Sequence, residues 1–140
     1  AALALADAFV RSARGLAAAA ARDAVVAGVS GAVFETEFPF VYRSAGDDAS
    51  FRGAAGKHPV LLSGSMDLVY GDSAGVVVID FKTDRRAEPE RHAFQLSVYR
   101  DAAESIFGVP AAAYVPYLRT GAEHEITGAP DTTGLGACAQ

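Results

Sequence analysis

Apolar residues shift from helical spacing to strict alternation and back along the 140-residue chain. Over residues 2–27, Leu3, Leu5, Phe9, Val10 and Leu16 sit in an alanine-rich background of high helix propensity, predicting one helix or two helices broken near Gly15. The stretch from Gly28 to Gly31 ends that region. Residues 33–42 alternate as a strand, with Glu35 and Glu37 expected on one face and Pro39 pointing to an edge strand or a bulge. Residues 44–58 are rich in Gly, Ala, Asp and Ser and read as a loop. Strand composition returns at 60–70 and 76–83, joined by the turn residues 71–75. The second of these runs is apolar on both faces up to Asp80, as a central strand requires. After a polar connection, Pro89 and Glu90 open a helix that Gly108-Val109-Pro110 stops. Phe94, Val98, Ala102 and Ile106 form its expected apolar row, while His92, Gln95 and Tyr99 share a second stripe. Residues 111–118 and 123–126 read as two further strands, and a loose tail follows from Thr127. A helical start, three strands, a helix and a closing pair of strands predict an α/β domain with a mixed central sheet.

Composition narrows the function. A hydrophobic fraction of 51% and a mean hydropathy of +0.18 exclude a disordered chain, and the length suffices for one core. The net charge of −5 argues against a free-standing nucleic-acid-binding module, because neutralisation of phosphates by Lys and Arg dominates such affinity. An acidic domain can still act on DNA where a metal ion supplies the local positive charge and another domain delivers the strand. Arg11, Arg14 and Arg22 read as a solvated helix face before they read as a DNA stripe. Cys138 is the single cysteine, which excludes an internal disulfide and a cysteine-ligated zinc or iron–sulfur site built by this chain alone. No window has the length and hydrophobicity of a membrane span, and no signal peptide with a basic start is visible, so a cytoplasmic setting is expected. The stretch from Gly53 to His58 lacks phosphate-loop spacing, leaving no nucleotide site. The chain opens on Ala1 inside an alanine-rich run and is expected to be a piece of a longer protein.

The candidate chemistry lies between Gly64 and Lys82. If 60–70 and 76–83 pair as a hairpin, Asp67 and Asp80 fall on neighbouring strands, and Asp80 and Lys82 share a face. Two hard carboxylates suit a divalent ion such as magnesium, and a nearby lysine can position a water or stabilise charge on a phosphate. Asp-x-Lys alone is most often a solvated pair. The pattern gains weight from Asp67 in its own strand and from the polar stripe on the following helix. Gln95 is the most suggestive member of that stripe, since packing rarely demands a glutamine. Tyr99 fits core packing equally well, His92 fits a solvated helix start, and Glu37 fits either a surface strand or a place near the metal.

Gly64-Ser65-Met66-Asp67-Leu68-Val69-Tyr70, then Val78-Ile79-Asp80-Phe81-Lys82-Thr83, then Gln95-Leu96-Ser97-Val98-Tyr99 resemble, in this order, the motifs of the RecB-type nuclease domain of the PD-(D/E)xK superfamily. The resemblance spans about residues 33–126. It implies a restriction-endonuclease-like mixed central sheet flanked by helices, with its carboxylates along one sheet edge. It divides the chain into a helical part (1–28), a catalytic core (33–126) and a tail (127–140). It implies Mg2+- or Mn2+-dependent hydrolysis of DNA, single-stranded or at duplex ends, exonucleolytic in preference to endonucleolytic. Helicase domains of a longer chain or complex are the implied partners, in DNA end processing and recombinational repair. By resemblance, Asp67, Asp80 and the backbone carbonyl of Phe81 bind the metal and Lys82 is the catalytic lysine. Gln95, Tyr99 and Glu37 support the site or touch DNA. One departure stands out: the family's metal-binding histidine upstream of the glutamate strand has no counterpart here, and it is expected before Ala1. The alternative is a nuclease-like fold that no longer cuts and docks a DNA end or a protein.

Overall fold

The computed structural model describes residues 2–43 and 61–127. The predicted loop at 44–58, the tail beyond Thr127 and Cys138 lie outside the described residues. Helices α1 (Ala2–Arg11) and α2 (Ala13–Val26) lead into strand β1 (Val33–Arg43). Strands β2 (Leu61–Asp72) and β3 (Gly75–Ile79) form a hairpin, helix α3 (Pro89–Phe107) follows, and β4 (Ala111–Tyr117) and β5 (Ala122–Ile126) close the order. One five-stranded sheet runs β1-β2-β3-β4-β5. All neighbours are antiparallel except β3 and β4, which are parallel and joined by α3 as their crossover. The expected mixed α/β sheet flanked by helices is therefore present, with β3 central and β1 at an edge, as its Pro39 requires. Among the described residues no helix is long and apolar enough to cross a membrane.

The helical start breaks at Ser12, not near Gly15. The Ser12 hydroxyl oxygen caps α2 by accepting from the Gly15 N–H at 3.1 Å, and the hydroxyl donates to the Phe9 carbonyl at 2.6 Å. Gly15 lies inside α2 because only a hydrogen fits there: a Cβ would stand 2.1 Å from the Phe9 carbonyl oxygen. At the other end of the chain, α3 ends where the sequence predicts, on Gly108 in the left-handed region at φ 68°, its N–H bonded to the Glu104 carbonyl.

The sheet buries both faces. Beneath α3, Met66, Val69, Val76, Val78, Val115 and Tyr117 pack against Leu96, Tyr99, Ala102 and Ala103. Beneath α1 and α2, Leu68, Tyr70 and Ile79 pack against Ala18, Phe9 and Phe81. Of the predicted row on α3, Val98 and Ala102 are buried, with Leu96, Tyr99 and Ala103 packed into the sheet core beside them, whereas Ile106 is exposed.

Strict alternation fails at one place, in two strands at once. On β2, Met66 packs beneath α3, whereas Leu68 and Tyr70, of the same parity, pack beneath α2. On β1, Val33 packs beneath α3 and Phe34 beneath α2, yet Phe38, Phe40 and Tyr42 all lie on the α3 side. Both strands exchange faces within one register step. Thr36 pairs with Leu68 and Phe38 with Met66, so the step falls at Glu37 and Asp67. Glu37 carries φ 48°, the only positive value at a non-glycine among the described residues. That backbone state costs about 1–3 kcal/mol and persists only where surrounding structure imposes it. The shared face expected for Glu35 and Glu37 rested on uninterrupted alternation, which this residue ends.

Candidate active site

Continuing the two registers would set Asp67 between Glu37 and Asp80, but regular pairing lapses at all three residues. The β2–β3 ladder runs down to Leu68 against Ile79 and stops. Beyond it the two strands part, while β3 stays with β4: the Asp80 N–H donates to the Tyr114 carbonyl at 3.2 Å and the Lys82 N–H to the Pro116 carbonyl at 3.1 Å. The Phe81 N–H, left without a strand partner on the β2 side, donates to Asp67 Oδ2 at 2.9 Å. Asp67 thus ties the two arms of the fork together through its side chain. Asp67 lies on the inner strand β2 and Asp80 just past the end of the inner strand β3, at a split within the sheet and not on its outer strands.

Asp80 and Lys82 share a face, as their spacing predicts. Lys82 Nζ lies 2.7 Å from Asp80 Oδ2, with the Asp80 side chain only 8% exposed. Asp80 Oδ2 is buried, and the Lys82 ammonium is its close charged partner. Burial pushes the Asp67 carboxyl above the usual carboxylate range. The Phe81 N–H opposes that shift and the neighbouring Asp80 adds to it. Two carboxylates drawn together on a partly desolvated fork suit a hard cation. Among the described residues no group of three or more His, Cys, Asp or Glu side chains converges on a metal position. Any ion here would rely on Asp67 and Asp80, with backbone or water oxygens completing its shell.

The third motif meets the first through a glycine. The Gln95 amide donates to the Tyr99 hydroxyl at 2.9 Å, one helical turn apart on α3. Tyr99 is buried and stacks edge-on against Phe40 at 5.1 Å between ring centroids. A Cβ on Gly64 would stand 3.1 Å from the Phe40 ring and 3.2 Å from the Tyr99 hydroxyl, so the glycine that opens the first motif is the floor on which the tyrosine rests. Burial keeps the Tyr99 phenol above its usual range; the Gln95 bond works against this and the Asp80 charge reinforces it. The hydroxyl therefore stays protonated, accepting from Gln95 and keeping its own proton to donate. Tyr99 is both a core residue and a polar one, while Gln95 is exposed.

His92 leaves the stripe. Its Nε2 lies 3.1 Å from Asp84 Oδ2, tying the first turn of α3 to the loop that follows Lys82. Glu37 is exposed on β1. Sequence reading missed the Asp67 bond to the Phe81 backbone, the Asp84–His92 contact and the role of Gly64. The Gly-x-x-Asp spacing signals the last of these, since a glycine three residues before a site aspartate marks a close approach. The arginines of α1 and α2 are each paired with an acid: Arg11 with Asp7, Arg22 with Asp23, and Arg14 with Glu123 at 2.5 Å.

No curated protein matches the chain. Among solved structures, that of SSO0001 aligns over 96% of this chain and 62% of its own, at 19% identity and a TM-score of 0.49. The profile of the PD-(D/E)XK nuclease superfamily matches residues 3–133, nearly the whole chain. The chain therefore belongs to the PD-(D/E)XK nuclease superfamily.

Proposed function

We propose that this domain hydrolyses DNA phosphodiesters with a divalent metal, Mg2+ or Mn2+, at the fork between β2 and β3. The observation that carries the reading is the convergence of Asp67, Asp80 and Lys82 there, with Lys82 Nζ 2.7 Å from Asp80 Oδ2 and Asp67 Oδ2 2.9 Å from the Phe81 N–H. Asp67, Asp80 and the Phe81 backbone carbonyl would hold the ion. A bound divalent cation would lower the pKa of a coordinated water and polarise the scissile phosphate. Asp67 keeps the fork open at a fixed width by bonding the Phe81 backbone. Lys82, held by Asp80, directs its ammonium to the carboxylate pair, where it orients a water and offsets the negative charge that builds on phosphate oxygens. Tyr99, positioned by Gln95 and Gly64, presents a hydroxyl proton to the same side. Glu37 extends the acidic row by one strand and supports the fork through its backbone.

The three motifs and their order support a RecB-type assignment within the superfamily, and with it attachment to helicase domains in DNA end processing. Residues 1–126 would form the nuclease unit. The second reading, a DNA-end or protein docking module without cleavage, is favoured by a single observation: the absence of a third metal-ligating side chain among the described residues. Cleavage of a labelled single-stranded oligonucleotide in Mg2+ or Mn2+ separates the two. Cutting that disappears with EDTA and in Asp80→Asn supports the nuclease. Metal-independent binding without cutting supports the docking module.

A further inference from the structure

Among the described side chains, just over half of the positive charges lie in ion pairs, and most of the rest are concentrated at one place. Among the described residues, Arg11, Arg14, Arg22, Lys82 and Arg100 each lie in an ion pair. Arg43, Arg85, Arg86 and Arg119 have no ion pair to a described acid. Three of these four sit on the two segments that leave the parallel strands β3 and β4 at their common end. Lys82 bridges to Tyr117 there, and the Leu118 N–H donates to the Lys82 carbonyl at 2.9 Å. Arg119 then folds back, its Nε donating to the Thr83 carbonyl at 2.7 Å. Arg85 and Arg86 follow two and three residues later, and all three side chains are exposed. The acids in the same segment are Asp84, engaged by His92, and Glu88 and Glu90 at the start of α3.

We propose that Arg85, Arg86 and Arg119 form a cationic rim along which the phosphates of one DNA strand approach Asp80 and Lys82. The inference rests on the nuclease reading and adds the strand's path. An acidic domain needs such a rim because its overall field repels a polyanion, so capture must come from a local unneutralised group. Arginine suits the task, since its guanidinium fork binds phosphate oxygens in pairs.

The test follows Mn2+-dependent cleavage of a single-stranded oligothymidine across a salt series. The chains compared are wild type, Arg85→Gln/Arg86→Gln, Arg119→Gln, Arg119→Lys and, as a control, Arg22→Gln. Hydrolysis of bis(p-nitrophenyl) phosphate, which has no flanking phosphates, reports the chemistry alone. The rim predicts a severalfold rise in KM for the oligonucleotide in the glutamine variants, with kcat and the small-substrate rate unchanged. It also predicts a salt dependence shallower by about 0.7 per lost phosphate contact on a single strand. Arg119→Lys keeps the charge and should restore the slope. Wild-type KM and salt slope in the glutamine variants overturn the rim and leave the nuclease standing. A fall in kcat on both substrates, with the slope unchanged, also overturns it by making Arg119 a brace for Thr83. A wild-type chain that hydrolyses neither substrate overturns the nuclease reading itself.

Discussion

The two faces of the sheet use the same strands for different ends. Beneath α1 and α2, the polar groups are spent on fastening. The Arg14 guanidinium lies 3.3 Å above the Tyr114 ring and reaches Glu123 on β5, and Phe9 stacks edge-on against Phe81 at 4.7 Å. Beneath α3, a larger apolar core carries polar groups gathered at one place: the Asp80–Lys82 ion pair and Tyr99 with a proton still to give. Phe81 lies between the two regimes, its ring in the fastening face and its N–H on Asp67. A strand that alternates can serve one face with structure and the other with chemistry. The exchange of faces at Glu37 and Asp67 marks where the second task begins.

If that division is right, substitutions of the charged groups on the α3 side should cost activity with little cost in stability, and those on the α2 side the reverse. The largest effect is expected from Asp80→Asn, which should lower kcat on the order of 10³-fold, with circular dichroism and melting temperature close to wild type. Lys82→Gln should follow at roughly 10²-fold in kcat, because the ammonium stabilises charge that develops during the reaction and not the bound substrate. Gly64→Ala probes the contact between motifs. Its methyl group must displace the Phe40 ring or the Tyr99 hydroxyl, so thermal or urea unfolding should show a loss of about 1–3 kcal/mol, with activity falling as Tyr99 moves. An unchanged rate in a well-folded Gly64→Ala would remove Tyr99 from the site.

On the other face, Arg14→Ala should cost about 1 kcal/mol by denaturant titration and leave kcat unchanged, since it removes one cation–π contact and one partly exposed ion pair. The subtlest effect concerns Asp67. Its folded pKa is raised, so the folded state binds that proton more tightly than the unfolded chain does. Its contribution to stability is therefore favourable at low pH and lost as pH rises through the raised value. In metal-free buffer at neutral pH, Asp67→Asn should melt slightly higher than wild type, because asparagine still accepts from the Phe81 N–H without an unwelcome charge. The gap should close as pH falls below the ordinary carboxylate range.

Much of this arrangement was legible in the chain. The helix from Pro89 to Phe107 could be read because proline, acid and glycine mark its ends in ways that depend on neighbouring residues alone. The hairpin was legible for the same reason, and with it the adjacency of Asp67 and Asp80. The face exchange was not, because alternation is a local rule and a φ of 48° at a glutamate is imposed by packing across strands. The fork between β2 and β3 was equally hidden: it depends on β3 following β4 when β2 departs, a choice made by the parallel pairing with a strand thirty residues away. The arginines of α1 and α2 were read as a solvated face, yet Arg14 is held by a partner 109 residues on.

The central claim is that Asp67 and Asp80 form one cation-binding fork, and calorimetric titration with Mn2+ tests it most directly. Wild type, Asp67→Asn and Asp80→Asn would be titrated after melting curves confirm that all three are folded. The account predicts saturable binding in the wild type and its loss in both variants. Equal Mn2+ binding in all three, or oligonucleotide cleavage by the wild type that persists in EDTA, would contradict it.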